Sequence, residues 1–85
     1  MSGWVDELAA ALGVEPLSGG ETGRLLSTAR EIAHRVERKD TPLAAFVLGL
    51  GTERRIGEGA SREDAFRQSI EAVLALLPEE PPPAG

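Results

Sequence analysis

The feature that most constrains the fold is the run from Leu43 to Leu50, in which every residue is apolar or glycine. Asp40 or Thr41 followed by Pro42 marks the start of a helix there, since proline at the first helical position loses only an N–H that has no partner. The run is far shorter than the roughly 20 residues that a membrane-spanning helix requires. A helix without a polar face is typically buried, so we expect this segment to be the buried central helix of the domain.

The second helix has a strong start signal. Ser18 and Glu21 have the spacing of a capping box, which predicts a second helix beginning near Gly19. Its apolar residues recur at helical spacing, and we expect this helix, the longest in the chain, to end around Arg38 or Lys39. Basic residues at that end interact favourably with the negative pole of the helix dipole.

The first and last helices complete the pattern. Ser2 can cap a short helix from about Gly3 to Leu12, and Gly13 is a natural left-handed stop. Ser61 caps a fourth helix, which extends to Leu77. We therefore predict an all-α domain, a small bundle of four helices with a buried central third helix.

Length and composition set the domain organisation. Eighty-five residues form one modest core, which we place at residues 1–77. One Trp, two Phe and no Tyr leave the core to aliphatic side chains, and this favours packed helices. Residues 78–85 are proline-rich, and we expect a disordered tail, with a proline-rich recognition ligand as the less favoured alternative.

Charge and cysteine content exclude several classes of function. A net charge of −5 argues against nucleic-acid binding and against an anionic membrane surface. No cysteine is present, so disulfides, thiolate nucleophiles and zinc-cysteine sites are excluded. Trp4, Asp6 and Glu7 stand where a signal peptide would need basic and then apolar residues, so we expect a cytoplasmic protein.

One polar patch is a candidate site. At 100° per residue, Arg30, His34 and Glu37 share a stripe of the second helix, with Arg38 one turn beyond His34 and Lys39 beside it. Such a patch could bind an anion or a partner protein, or it could be a solvated helix edge. A metal site is disfavoured because His34 is the only histidine.

No catalytic or cofactor motif is complete. The segment Gly49-Leu50-Gly51-Thr52 has some likeness to a phosphate-binding loop, but it comes late in an apolar helix, where glycines more often serve close packing. The serines occupy capping or helical positions without a neighbouring base, so we assign no catalytic residue and no cofactor.

Short motifs along most of the chain, up to Leu77, resemble one family. They are Trp4 to Leu8, Ala11 to Val14, Ala29 and Arg30, Ala33 and His34, Val36 to Arg38, Pro42 and Leu43, and Phe46 to Gly49. The chain resembles the uncharacterised actinobacterial family DUF6457. The resemblance implies a small helical domain that occurs alone or attached to proteins resembling the molybdenum-cofactor guanylyltransferase, which joins a guanine nucleotide to molybdopterin. Family members often carry proline where this chain has Lys39, so the geometry of that turn is open.

Two functional hypotheses follow. The first is a non-enzymatic accessory or interaction domain, linked by resemblance to molybdenum cofactor biosynthesis. It would bind a guanylyltransferase-like partner, or an anionic pterin or nucleotide, through Arg30, His34 and Arg38. The second is a purely structural homo-oligomerisation domain without a ligand, in which the broad apolar face from Val73 to Leu77 forms a homodimer. An enzyme is the least favoured class.

Overall fold

The computed structural model describes residues 3–79, which form four helices and no strand. The helices are α1 (Trp4–Ala11), α2 (Gly19–Arg35), α3 (Asp40–Gly57) and α4 (Arg62–Leu76). The predicted all-α, four-helix class is confirmed. Ser2 and most of the proline-rich tail, residues 80–85, lie outside the described residues, and the N-cap of α1 is Gly3.

The predicted N-terminal caps of α2 and α4 are confirmed. The Ser18 N–H donates to Glu21 Oε1 at 2.8 Å, and the Glu21 N–H donates back to Ser18 Oγ at 3.0 Å. Ser61 Oγ accepts from the Asp64 N–H at 3.1 Å. Gly13 has a φ of 72°, the left-handed conformation that ends α1 at the predicted position.

The connection between α2 and α3 differs from the prediction. α2 ends at Arg35 and not at Arg38 or Lys39, because Val36 leaves helical geometry at φ −118° and ψ −101°. The carbonyl of Glu37 accepts from the Asp40 N–H at 3.1 Å, which tightens the turn into α3. Pro42 is therefore the third residue of α3 and not the first. This position is tolerated because the first four N–H groups of a helix have no partner within it.

α3 is the central helix by packing, since it lies against both α2 and α4. The buried apolar side chains of these three helices include Ile32, Leu48 and Ile70, and Ala9 of α1 is also buried. The expectation that the whole run from Leu43 to Leu50 is buried is wrong, because only Leu48 in it is buried. Two neighbouring helices cover only one side of α3, and the opposite side faces outward.

α1 does not cover that outward side. Within residues 3–79, none of its Cα atoms lies within 8 Å of the other three helices. Its apolar side chains instead line an open cleft of about 370 Å³ shared with Ala45 and Gly49 of α3. A Cβ added at Gly49 would meet nothing within 4 Å, so the small residues of α3 do not admit a close helix there.

Arg62 fastens the start of α4 to the start of α2. Its Nε and Nη2 donate to Glu21 Oε2 and Oε1 at 2.8 and 2.9 Å, a two-pronged ion pair. Its Nη1 and Nη2 also donate to the carbonyls of Glu15 and Pro16 at 3.0 and 3.2 Å. Hydrogen bonding to Arg62 holds the pKa of Glu21 below its ordinary value, although burial opposes the shift. The loop before α2 is thereby tied to both helices.

In the described part of the chain, no helix has the length and hydropathy to cross a bilayer.

Candidate functional site

The outward side of α3 carries an exposed apolar stripe, here called the α3 seam, formed by Leu43, Phe46, Val47 and Leu50. These side chains are between 56% and 69% exposed. Residues three and four apart fall on one face of a helix, so the four side chains form one continuous ridge. Single exposed leucines are ordinary on protein surfaces, whereas a contiguous apolar ridge indicates an interaction site.

The α3 seam extends into charged residues at both ends. Asp40 lies three residues before Leu43, and Arg54 lies four residues after Leu50, so both stand on the line of the seam. From Asp40 to Arg54 the steps are three, four, three and four, the spacing of a helix that packs lengthwise on another helix. Arg54 also pairs with Glu58 at 3.4 Å, with both side chains well exposed.

An apolar groove lies beside the seam, between α2, α3 and α4, with a volume of about 540 Å³. Its apolar walls include Val36 from the end of α2 and Val73, Leu76 and Leu77 from the end of α4. Leu76 is the most exposed of these, at 88%. Leu43 and Val47 of the seam form one rim of the groove, so the two surfaces are continuous.

Arg55 provides the groove with a cation at the end nearest the α3–α4 turn. Its Nη1 donates to the Gly51 carbonyl at 3.3 Å and to the hydroxyl of Ser69, a buried side chain, at 3.2 Å. Among residues 3–79, no carboxylate forms an ion pair with Arg55. The guanidinium therefore has donors left for an acceptor from outside the domain.

The predicted charged set is divided by the early end of α2. Arg30 and His34 are exposed, one turn apart on the helix, whereas Glu37, Arg38 and Lys39 lie in the connection to α3. Glu37 Oε2 and Lys39 Nζ approach to 3.3 Å with both side chains largely solvated. The set therefore does not form the single helical stripe that uniform 100° spacing suggested. No group of three or more metal-ligating side chains occurs in the described residues.

The glycine-rich segment lies inside α3 and not before a helix N-terminus, which excludes a phosphate loop there. Thr52 Oγ1 donates to the Leu48 carbonyl at 2.9 Å, an ordinary bond within the helix. A Cβ at Gly51 would come within 3.5 Å of Arg55 Nη1 and 3.7 Å of Ser69 Oγ. These are ordinary van der Waals distances, so a side chain at position 51 would fit, and the packing interpretation of these glycines stays a prediction.

Sequence reasoning missed both the exposure of the α3 seam and the position of Arg55. The sequence of a helix without polar residues does not indicate which face is buried. Helical periodicity is visible only where polar residues alternate with apolar ones. The signal that could have found the seam is the pair Asp40 and Arg54, which continue its spacing with charged residues. Arg55 gave no signal, since its partner Ser69 is distant in sequence.

The family model DUF6457, described as a domain of unknown function, matches residues 1–84 of the chain. No curated protein and no solved structure matches the chain significantly.

Proposed function

We propose that this chain, which belongs to the DUF6457 family, is a non-enzymatic interaction domain that serves as an accessory to a molybdenum-cofactor guanylyltransferase-like protein. The observation that carries the interaction role is the continuous apolar surface formed by the α3 seam and the groove. The molybdenum cofactor link rests on the resemblance to the family alone. An accessory role of this kind requires the domain to bind its partner and not to catalyse a reaction.

The size of the exposed apolar surface supports an interaction role. Three large apolar side chains lie well exposed at the surface of the bundle: Phe46 at 69%, Leu50 at 56% and Leu76 at 88%. Covering one such side chain on binding stabilises a complex by about 1 to 2 kcal/mol. Selection for folding alone gives no reason to keep these residues apolar.

The shape of the groove is suited to a segment of the proposed partner protein. It is open along its length, like the grooves that accept an apolar helix face or extended segment of another protein. Arg55 forms no ion pair among residues 3–79 and would pair with a carboxylate of that segment. An apolar wall sets the affinity of such a site, and the charges of Arg55 and Asp40, which also lines the groove, set its register.

The experiment measures binding of this domain to a guanylyltransferase-like protein from the same organism by isothermal titration calorimetry. We expect binding to wild type and loss of at least about tenfold in affinity for Leu76→Glu and for Arg55→Gln. Both variants should keep the helical circular dichroism of wild type. Absence of heat with wild type at high micromolar concentration would remove the proposal.

The charged set supplies a matched arm of the same experiment. A double variant, Arg30→Ala with His34→Ala, changes two exposed side chains that do not line the groove. We expect it to bind like wild type. If it loses affinity while Leu76→Glu does not, the partner or an anionic pterin or nucleotide contacts the charged set instead of the groove.

A second candidate function is structural self-association without a ligand. The α3 seam favours it, because the seam is apolar between two charged ends and is separable from the groove at Phe46 and Leu50, which do not line the groove. Sedimentation velocity of the domain alone distinguishes this candidate, since a chain of 9.0 kDa would then assemble without a partner. The two candidates share Leu43 and Val47, which belong to the seam and also line the groove, and they differ at Phe46 and Leu50.

A further inference from the structure

We propose that the α3 seam is the contact surface for a second copy of this chain, packed antiparallel along α3 around a two-fold axis between Phe46 and Val47. This inference deepens the proposed interaction role by naming the partner of the seam, and it rests on that role. It places the groove beside the dimer interface, where it stays available to another protein.

The arrangement of the seam is self-complementary. Its four residues are spaced three, one and three apart, which reads the same from either end. A two-fold contact needs such a surface, because each residue meets the partner residue that mirrors it. About an axis between Phe46 and Val47, Leu43 of one copy meets Leu50 of the other.

The charges at the ends of the seam determine the direction. Asp40 and Arg54 flank the apolar residues with opposite signs, and Asp40 forms no ion pair within residues 3–79. Antiparallel packing brings Asp40 of one copy towards Arg54 of the other at both ends. Parallel packing would set Asp40 against Asp40 and Arg54 against Arg54, and it would also align the two helix dipoles.

Four other charged groups lie near these ends. Lys39 pairs with Glu37 at one end, and at the other Glu58 pairs with Arg54 while Glu53 is exposed. The surface pairs are weak and screened, so they can exchange for contacts across the interface. Glu53 lies to one side of the seam line and meets the Lys39 end of the second copy.

The area suits a weak dimer. The four side chains expose roughly 400 Å² of apolar surface per copy, which gives about 800 Å² for two seams. Leu76 and Val36 are not counted, because they line the groove that stays open beside the interface. An area of about 800 Å² lies below the roughly 1,000 Å² of stable specific interfaces and is in the range of weak, transient contacts.

Cysteine cross-linking tests the direction directly, because the chain has no cysteine of its own. We would prepare Leu43→Cys and Leu50→Cys variants of different mass, mix them under mild oxidation, and identify the products by mass spectrometry. Antiparallel packing predicts the mixed disulfide between positions 43 and 50. The same position in two copies would be about 10 Å apart along the axis, beyond the reach of a disulfide.

Charge exchange tests the end contacts. Arg54→Glu should raise the dimer dissociation constant by about fivefold to tenfold, and Asp40→Lys should do the same. The double exchange in one chain should bring the constant back to within about threefold of wild type, because the antiparallel pairs are restored with reversed sign. The variants' circular dichroism controls for loss of α3.

Disulfides only between identical positions indicate parallel packing, and failure of the double exchange to restore the dimer contradicts the charge pairing; either result overturns the proposal. A dimer lost with Leu76→Glu but kept with Phe46→Glu would place the interface at the end of α4 and also overturn it. A wild-type chain that stays monomeric at millimolar concentration overturns the proposal that a second copy binds the seam. Calorimetry with the guanylyltransferase-like protein tests the accessory role separately.

Discussion

Arg62→Ala should lower the free energy of unfolding by about 2 kcal/mol. The arginine donates two charge-assisted hydrogen bonds to Glu21, at 2.8 and 2.9 Å, and two bonds to backbone carbonyls. The Glu21 side chain is only 14% exposed, whereas that of Arg62 is 36% exposed. Partial solvation reduces each charged bond to about 1 kcal/mol, and the freed carbonyls of Glu15 and Pro16 are exposed enough to regain water.

The assay is urea and thermal unfolding followed by circular dichroism. A loss of about 2 kcal/mol in a chain of this size lowers Tm by about 8 to 16 °C. Arg67→Ala is the matched control and should cost under about 0.5 kcal/mol, since within residues 3–79 Arg67 makes only surface ion pairs, with Asp64 and Glu71 at 3.4 and 3.5 Å.

A double-mutant cycle isolates the ion pair. Glu21→Gln and Arg62→Ala should be non-additive, with a coupling energy of about 1 to 2 kcal/mol. Additivity within about 0.3 kcal/mol would show that the two side chains do not stabilise each other, and the account of how the loop before α2 is held would fail.

The remaining predictions concern pH, the core and the turns. Because the folded-state pKa of Glu21 is lowered below 4.5, its contribution to stability is complete above pH 4.5 and is lost as the pH falls through the folded-state pKa; acid titration of unfolding should show a loss that Glu21→Gln reduces. Ile70→Ala should cost about 3 kcal/mol in urea unfolding, since Ile70 is 1% exposed. Gly59→Ala should destabilise by about 1 kcal/mol because φ is 110°, whereas Gly57→Ala, with open space at the Cβ and no positive φ, should be neutral or stabilising in the same assay.

The local signals of the sequence predicted most of the fold. Ser18 with Glu21, Ser61 and Gly13 each act through neighbours within four residues, so their roles can be read from spacing alone. The end of α2 could not be read in this way. Its last turn is decided by the tight connection into α3, where the Glu37 carbonyl accepts from the Asp40 N–H.

The candidate site was less predictable for a physical reason. The exposure of the α3 seam depends on how many helices surround α3, and that number follows from tertiary packing and not from the run between Leu43 and Leu50. The pairing of Arg55 with Ser69, and of Arg62 with Glu21, joins residues 14 and 41 positions apart. Neither pairing leaves a periodic signal in the sequence.

We infer that the α3 seam serves assembly and not folding. The most direct test is the dependence of Tm on protein concentration, for wild type and for the double variant Phe46→Glu with Leu50→Glu. A folded dimer predicts a wild-type Tm that rises by about 4 °C for each tenfold increase in concentration, and a variant Tm that is constant and equal to the dilute wild-type value. A wild-type Tm independent of concentration, or a variant that is less stable than dilute wild type, would contradict the claim.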